Sequence, residues 1–575
     1  MSPIFAALAA FVLYVLGYRF YSKYLATKIF DLDDSRPTPA HTMTDGVDYV
    51  PTRPSILFGH HFASITGLAP MLGPAVAVIW GWVPALIWVV LGALLVGCVH
   101  DFAALVVSVR NKGMSVGEVA DKVIGKRART LFHFVIFFGV ALAMGVFVFV
   151  IAKLFSITLT PATETAAARP GYPQAVLPSG LLMILAMISG ILLYRKGWPL
   201  LPVALGGFVL ELLFIELGRR FPTVGLDPSL WPGAGTWTWV LLGYAFLASV
   251  LPVWALLQSR DFLNSLLLYL GLGLAYVGFF VGAPGFAAPA LDLEPPGAPP
   301  LLPFVFIIIA CGAASGFHGL VSSGTTAKQL DKESHARPIG YGAMIGESML
   351  GLLATLACTA GFASSELWHE HYASWASAAG LATKIDAFIH GTTSFVVNLG
   401  IVSPSLASAL IAMVVVSFAL TTLDSATRLL RFNLEEIAQS FGLSVFDNRY
   451  VSSAAACAAI GFFAFYEVGG KPAALALWTL FGTTNQLLAG LTLTLATLYL
   501  RQKGKNTWLT GIPAVFMMGS TLIAMVINLS HFAPGGTRPD TLLLIVGGIL
   551  FVLGLWLLIE AVVALRKKPA PSQPA

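Results

Sequence analysis

The stretch of the sequence best suited to chemistry places two histidines beside helix-breaking residues within an apolar region. Residues 58–75 read FGHHFASITGLAPMLGPA. In hydrocarbon every backbone N–H and C=O needs a partner, so glycine and proline at membrane depth are tolerated mainly where they line a cavity or lie inside the protein. The stretch therefore predicts an interrupted membrane helix that forms half of a substrate site, with four contact residues: His60, His61, Ser64 and Gly67.

A second stretch repeats this mixture of histidine, small residues and hydroxyls. Residues 314–326 read ASGFHGLVSSGTT. Transporters built from inverted repeats place one interrupted helix in each half and bind the substrate between the two. We therefore expect Ser315, His318 and Ser322 to complete the site. Close packing of two membrane helices through their small residues is the simpler alternative, and the sequence leaves it open.

The histidines suit the recognition of a carboxylate or the movement of a proton, because imidazole titrates near neutral pH. His60 and His61 lie about 100° apart on a helix, so at most one of them points into a given cavity. A metal site that uses His60, His61 and His318 is a further alternative, although spacing in a sequence does not show that three ligands converge. An ordinary hydrogen-bonded role in the protein interior is equally compatible with the pattern.

A third group of residues carries the oxygen atoms that a hard cation such as sodium prefers. It consists of Thr421, Thr422, Asp424 and Ser425, which follow one another near the end of an apolar run. The alternative is that they satisfy a helix end. Glu347 lies within another apolar run and is the candidate proton carrier, because burial disfavours the charged form of a carboxyl group. We expect a coupling cation, Na⁺ or H⁺, and no other cofactor.

These residues lie in a chain whose composition is that of a membrane protein. Of its 575 residues 57% are hydrophobic and only 11% are charged, and the mean hydropathy is +0.82. In soluble domains about a quarter of the residues are charged. The composition predicts an all-α polytopic protein whose partners are the lipid bilayer and a small solute, and nothing in it supports nucleic-acid binding. No GxxxxGK[ST] loop that would hold a nucleotide phosphate occurs.

Apolar runs of the length that crosses a bilayer, roughly 17 to 25 residues, predict 15 transmembrane helices. Lys and Arg accumulate on cytoplasmic loops, and 26 of the 33 basic residues fall on alternate loops when the N-terminus is outside and the C-terminus is cytoplasmic. The predicted spans are 4–20, 56–79, 82–107, 131–154, 178–194, 198–217, 237–257, 262–282, 302–324, 341–362, 395–423, 450–466, 473–499, 508–529 and 541–564.

The two interrupted segments run in opposite directions under this topology, as an inverted repeat requires. We therefore expect a first repeat over 56–236 and a second, inverted repeat over 302–500. An inserted helix pair at 237–301 would separate them. Residues 1–55 would form an N-terminal helix and a cytoplasmic loop, and 501–575 peripheral C-terminal helices and a tail. A second half that begins at residue 237 is the alternative division.

Seven motifs from most of the chain carry a resemblance to a known family. They are GHHFASITGLAPMLGPA (59–75), HDF (100–102), LPVWALLQSRDFL (251–263), GFHGLVSSGTTAKQL (316–330), GESML (346–350), TTLDSATRLLRFNLEE (421–436) and FGTTNQLLAGLTL (481–493). With them the sequence resembles the carbon-starvation protein A (CstA) family of bacterial inner-membrane transporters. The resemblance implies uptake of peptides or pyruvate, driven by a cation gradient. It also implies a five-plus-five inverted-repeat core like that of the amino acid, polyamine and organocation superfamily.

Together these observations predict a secondary transporter of the bacterial cytoplasmic membrane rather than an enzyme. It would import small carboxylate-bearing nutrients, short peptides or pyruvate, by alternating access. Two alternatives belong to other classes: an intramembrane metal-dependent enzyme, against which the absence of an HExxH pattern speaks, and a passive channel. The sequence leaves the oligomeric state open.

Overall fold

The computed structural model describes residues 2–160, 169–375, 381–468, 471–472, 474–537 and 539–566. Most of these residues are helical. In chain order the principal helices are α1 (Pro3–Ile29), α2 (Pro54–Ile65), α3 (Ala69–Trp80), α4 (Trp82–Val109), α5 (Val116–Val123), α6 (Lys126–Phe155), α7 (Pro173–Arg195), α8 (Leu200–Arg220), α9 (Ala234–Val250), α10 (Leu257–Gly282), α11 (Leu301–Ile308), α12 (Gly316–Gly324), α13 (Glu333–Ala360), α14 (Ser365–Tyr372), α15 (Leu381–Val397), α16 (Pro404–Ser440), α17 (Arg449–Ala464), α18 (Ala474–Gln502), α19 (Trp508–Phe532) and α20 (Thr541–Arg566).

Strands are few and short in the described ranges. Two antiparallel pairs occur, each in a connection between helices. They are β1 (Thr158–Thr160) with β2 (Arg169–Pro170), and β3 (Glu467–Val468) with β4 (Lys471–Pro472). The prediction of an all-α membrane protein is therefore confirmed.

Ten of the helices are long and apolar enough to cross a membrane within the described part of the chain, namely α1, α4, α6, α7, α8, α10, α13, α16, α19 and α20. The bent pair α2–α3 brings the number to 11 if it is one span. The four remaining predicted spans coincide with α9, α17, α18 and the broken pair α11–α12. Every predicted span thus corresponds to helix, but the count of 15 is not established. The last residues of the predicted tail, 567–575, lie outside the described residues.

Both interrupted segments are present as two short helices that flank a break. The break between α2 and α3 covers residues 66–68, and the two helices meet at a bend of 45°. The second break covers residues 309–315 and contains Gly312, whose φ of +87° belongs to the left-handed region that glycine tolerates. The 316–324 part of the second stretch is helical, so this break lies upstream of most of the motif that predicted it.

The two longest helices form the centre of the molecule. α6 has 30 residues and α16 has 37, and the two pack against each other. α9 and α17 each pack against both of them. α16 begins at Pro404 rather than near residue 395, because Pro404 fits the first helical turn and the Ser403 hydroxyl caps it by accepting the N–H of Leu406 at 3.4 Å.

The carboxylate of Glu333 joins three segments on the face that the basic residues mark as cytoplasmic. It binds Arg110 Nε at 2.7 Å and Arg36 Nη1 at 3.2 Å, and it accepts the N–H of Asp33 at 2.8 Å. Glu333 itself is only 2% exposed. The connection after α1, the end of α4 and the start of α13 are thereby held together on one side of the membrane.

The described residues between α13 and α16, 361–375 and 381–403, remain on the opposite face. α13 starts on the basic face and α16 returns to it, where Arg428 lies 3.4 Å from Asp48, so α14 and α15 lie between two ends on the other side. The Tyr372 hydroxyl donates to the carbonyl of Ala75 at 2.7 Å and thereby ties α14 to α3. The Ser394 hydroxyl donates to the carbonyl of Gly361 at 3.2 Å. These residues, which we call the outer cap (361–375 and 381–403), cover the end of α3.

We expect Ile401→Cys to react with a membrane-impermeant thiol reagent added to intact cells, because the outer cap does not cross the membrane. Ile401 is 78% exposed. Glu294→Cys, in the exposed connection between α10 and α11, should react as well, and Lys505→Cys between α18 and α19 should react only after permeabilisation. Labelling of Lys505→Cys in intact cells without labelling of Glu294→Cys would reverse the orientation. A protected Ile401→Cys would mean that α15 crosses the membrane.

Candidate functional site

The helix before the first break, α2, is joined by hydrogen bonds to α10 and α16. His60 Nδ1 lies 2.8 Å from Asp261 Oδ2, and the Ser64 hydroxyl donates to the same oxygen at 3.2 Å. Ser64 is also 3.1 Å from the hydroxyl of Ser425 on α16. All four side chains are buried. The predicted residues His60, Ser64 and Ser425 are therefore neighbours, and Asp261 is the group that joins them.

A buried guanidinium lies beside this group. Arg260, which is 1% exposed, contacts Asp424 on α16 and donates to Asp261 Oδ1 at 2.8 Å. The Tyr244 hydroxyl of α9 contacts Asp424 as well and lies 2.5 Å from Arg260 Nη1. One guanidinium thus faces two carboxylates, so a single proton on His60 or on a carboxyl group would balance the charge of this Arg260 cluster (Arg260, Asp261, Asp424, Tyr244 and His60).

The arrangement changes the interpretation of the predicted sodium site. The Thr421 hydroxyl donates within its own helix, to the carbonyls of Ser417 at 3.0 Å and Phe418 at 2.9 Å. Thr422 and Ser425 reach toward the first break: Thr422 Oγ1 lies 3.5 Å from the carbonyl oxygen of Ser64, and the Ser425 hydroxyl lies 3.1 Å from the Ser64 hydroxyl. The charge that would attract a sodium ion is that of Asp424, and the guanidinium of Arg260 already contacts it.

The second break contains a second buried polar cluster. His318 Nδ1 lies 2.9 Å from Asp101 Oδ2, and its Nε2 faces Glu347 Oε2 at 3.2 Å. Ser315, at the start of α12, donates to Asn485 Oδ1 at 3.1 Å. The same amide oxygen accepts the N–H of Phe317 at 2.9 Å, so Asn485 of α18 caps the helix that begins after the break.

Several buried polar atoms around the two breaks have no hydrogen-bond partner, although buried polar groups are nearly always satisfied. They include His60 Nε2, His61 Nε2, Thr66 Oγ1, His318 Nε2 and Ser322 Oγ. The other ring nitrogen of His61 lies 2.8 Å from the Thr326 hydroxyl, which links the first broken helix to the segment that follows α12. All of the predicted contact residues are buried.

Four members of these clusters were not predicted as site residues from the sequence. Asp101, Arg260, Asp261 and Asn485 are all buried and supply the partners described above. Arg260 was counted among the basic residues of a cytoplasmic loop, yet it lies inside α10. The signal that could have found it is the adjacent Arg–Asp pair beside an apolar run of 20 residues, since charged residues at membrane depth are costly and usually paired.

The three histidines proposed as a metal site do not come together in the structure. His60 pairs with Asp261, His61 with Thr326 and His318 with Asp101. Two other groups among the described residues bring ligand atoms within 4.8 Å of one another: Cys311, His318 and Glu347, and on the basic face Glu118, His133 and Glu436.

A cavity of about 210 Å³ opens near the second of these groups. It is lined by α12 residues Ser323 and Gly324 as well as by Glu118, Glu436 and Lys328. The contact with His133 lowers the pKa of Glu118, and the Arg129 guanidinium adds to this effect. Burial lowers the pKa of the Lys328 ammonium. The cavity therefore combines acidic and basic groups directly below the second broken helix.

Comparison with known proteins identifies the family. The profile of the family described as "Carbon starvation protein CstA" matches residues 2–370 and 365–524. The chain belongs to this family. A protein of *Campylobacter jejuni* named "Peptide transporter CstA" is 32% identical over 590 residues, with 93% of this chain and 81% of that protein covered.

A second relative carries a different name. The *Escherichia coli* protein named "Pyruvate/proton symporter BtsT" is 31% identical over 613 residues, with 93% of this chain and 82% of that protein covered. Among solved structures, a manganese transporter of *Eremococcus coleocola* covers 91% of this chain and 99% of its own, with 14% identity and a TM-score of 0.46. The TM-score is too low for this likeness to carry a conclusion about the fold.

We expect Arg260→Ala to destabilise the protein strongly, because it leaves Asp424 and Asp261 buried without their cation. Breaking a buried ion pair in this way costs on the order of 3–5 kcal/mol, whereas replacing both partners with apolar residues costs far less. In thermal unfolding of the detergent-solubilised protein, the melting temperature of Arg260→Ala should therefore lie well below that of wild type. The melting temperature of Arg260→Met/Asp424→Leu should lie between the two. Arg501→Ala, at an exposed position, is the control. Equal melting of Arg260→Ala and wild type would show that the guanidinium does not hold the cluster.

Proposed function

We propose that this protein is a secondary transporter that imports small carboxylate-bearing nutrients, peptides or pyruvate, across the cytoplasmic membrane of a bacterium. The observation that carries the proposal is the set of unpartnered polar atoms around the two breaks, since groups that are buried without partners are suited to receive a ligand. Membership of the CstA family and the names of its two relatives support the same conclusion.

The substrate would lie between the two broken helices and contact His61, Ser64 and Ser322, with the backbone at Gly67 approaching closely. Helix ends at the breaks add aligned N–H groups that favour a carboxylate. The substrate would be released to the cytoplasm through the cavity below α12, where the Lys328 ammonium can form an ion pair with the carboxylate of the substrate. An enzyme or a passive channel is less well supported, because relatives with these motifs are named as a transporter and a symporter.

We further propose that the coupling ion is a proton and that His60 and Asp261 hold it. The guanidinium of Arg260 takes the place beside Asp424 that a sodium ion was predicted to fill. Because the Arg260 cluster contains two carboxylates for one guanidinium, a bound proton neutralises it, and an uncompensated buried charge is costly. A sodium ion would add charge beside a cation that is already present.

We also propose a division into repeats that differs from the one expected from sequence. We propose that α7 and α8, residues 173–220, are the inserted pair, in place of 237–301. The first half then consists of α2–α3, α4, α6, α9 and α10, and the second of α11–α12, α13, α16, α17 and α18. The proposal is supported by the way in which α9 and α17 each pack against both α6 and α16, as counterparts in an inverted repeat do.

We expect an imposed proton gradient, and not a sodium gradient, to drive accumulation of pyruvate or of di- and tripeptides into proteoliposomes. Asp261→Asn should retain counterflow of the same substrate, because the neutral cluster no longer requires a proton. Its proton-driven accumulation should fall to the level of liposomes without protein. Accumulation that follows the sodium gradient would reject the coupling proposal, and the absence of saturable counterflow with every substrate would reject the transporter itself.

We expect Gly67→Leu to abolish substrate binding while the protein remains folded. Even the first carbon of a side chain at this position would lie 2.9 Å from both Phe147 Cε2 and Thr422 Oγ1, so a leucine would displace the first break from α6 and α16. The matched control is Gly180→Leu on α7, where no atom lies within 4 Å of an added carbon. Binding of radiolabelled substrate to purified protein checks the prediction. Normal binding by a well-folded Gly67→Leu would place the site elsewhere.

A further inference from the structure

The second break brings together three side chains with the ligand chemistry of a transition metal ion. Cys311 lies in the break itself, His318 on α12 and Glu347 on α13. One ligand atom from each, a sulfur, a ring nitrogen and a carboxylate oxygen, lies within 4.8 Å of the other two, and all three residues are buried. These are the atom types that zinc binds in proteins.

Two of the three ligand atoms that face the centre of this group have no hydrogen-bond partner, whereas the Cys311 thiol donates to Ser315 Oγ at 3.2 Å. His318 Nε2 and Glu347 Oε2 face each other at 3.2 Å, but neither makes a hydrogen bond, and both side chains are 0% exposed. Two polar atoms buried without a hydrogen bond are expensive, since each loses its hydration. A cation bound between them would satisfy both atoms at once.

The remaining atoms of the ligands are held by outer partners. Asp101 Oδ2 lies 2.9 Å from His318 Nδ1, the pattern in which a carboxylate orients a metal-bound imidazole and fixes its tautomer. Glu347 Oε1 accepts the N–H of Gly312 at 3.2 Å. The amide of Asn485 lies 3.5 Å from Cys311 Sγ and can donate to a thiolate. Each ligand is therefore aimed by a neighbour that would not itself contact the ion.

Charge balance agrees with the geometry. A divalent ion bound by one thiolate, one carboxylate and one neutral imidazole forms a group of zero net charge, which is the least costly state in a buried site. Binding releases the thiol proton of Cys311 to solvent. The sulfur ligand disfavours magnesium and calcium, which prefer oxygen.

We propose that Cys311, His318 and Glu347 bind a divalent transition metal ion with the ligand preferences of zinc. Three protein ligands leave one position of a tetrahedral site open. The ion would join the break, α12 and α13, and so fix the second broken helix against its neighbour. The proposal gives His318 and Glu347 the role of metal ligands, instead of the substrate contact and proton transfer predicted from the sequence.

The site can be tested by cobalt substitution in the purified full-length protein, after removal of any affinity tag and extraction with a chelator. Wild type should bind one equivalent of Co²⁺ with the visible bands of a tetrahedral ion and a thiolate charge-transfer band, and zinc should displace it. Cys311→Ser should lose the charge-transfer band. Cys358→Ser, which changes another buried cysteine on α13, should keep it. Absence of stoichiometric cobalt binding, or an unchanged band in Cys311→Ser, would overturn the proposal.

A second measurement covers the case in which Cys311→Ser fails to fold. X-ray absorption of wild type loaded with zinc should show one sulfur at about 2.3 Å together with nitrogen or oxygen neighbours. A coordination shell without sulfur would overturn the proposal. Zinc should also raise the melting temperature of wild type but not that of Glu347→Gln, because only a ligand that binds the folded state stabilises it. A direct ion pair between His318 and Glu347 would instead leave wild type insensitive to zinc.

Discussion

The requirement that a charge inside the membrane be compensated determines how the helices of this protein meet. Arg260 cannot reach water, so its guanidinium lies between the carboxylates of α10 and α16. Through Tyr244 the same group includes α9, and through His60 it includes the helix before the first break. Four helices therefore share one electrostatic group, and a movement of any of them changes the charge balance of the other three. A transporter needs such a link between its ion and its moving parts.

Much of the helical architecture could be predicted from the sequence, because hydrophobic length and the positions of basic residues report directly on the bilayer. The first break was predicted correctly, with two prolines and Gly67 around it. The second break lies upstream of its predicted position. The stretch around Ser323 is helical, and the Ser323 hydroxyl donates to the carbonyl of Gly319 at 2.7 Å. Small and hydroxyl-bearing residues can lie within a membrane helix, whereas a residue with the positive φ of Gly312 cannot.

The candidate site was predictable only in part, since the sequence shows which polar residues are buried but not their partners. His318 and Asp101 are separated by 217 residues in the chain and come within 2.9 Å in the fold. Arg260 was assigned to a loop because hydropathy treats a charge at the end of an apolar run as the end of a helix. Cys311 was not proposed as a ligand from the sequence, because its separation of seven residues from His318 does not show that the two side chains converge.

The two faces of the membrane are held by different forces. On the basic face Glu333 binds two guanidinium groups, whereas the outer cap contacts α3 through a tyrosine hydrogen bond and aromatic packing such as that of Trp80 on Trp375. Salt screens exposed ion pairs strongly and buried ones much less, and Glu333 is buried, whereas apolar contacts weaken in the cold. Chilling would therefore loosen the outer cap before it loosens the connection at Glu333.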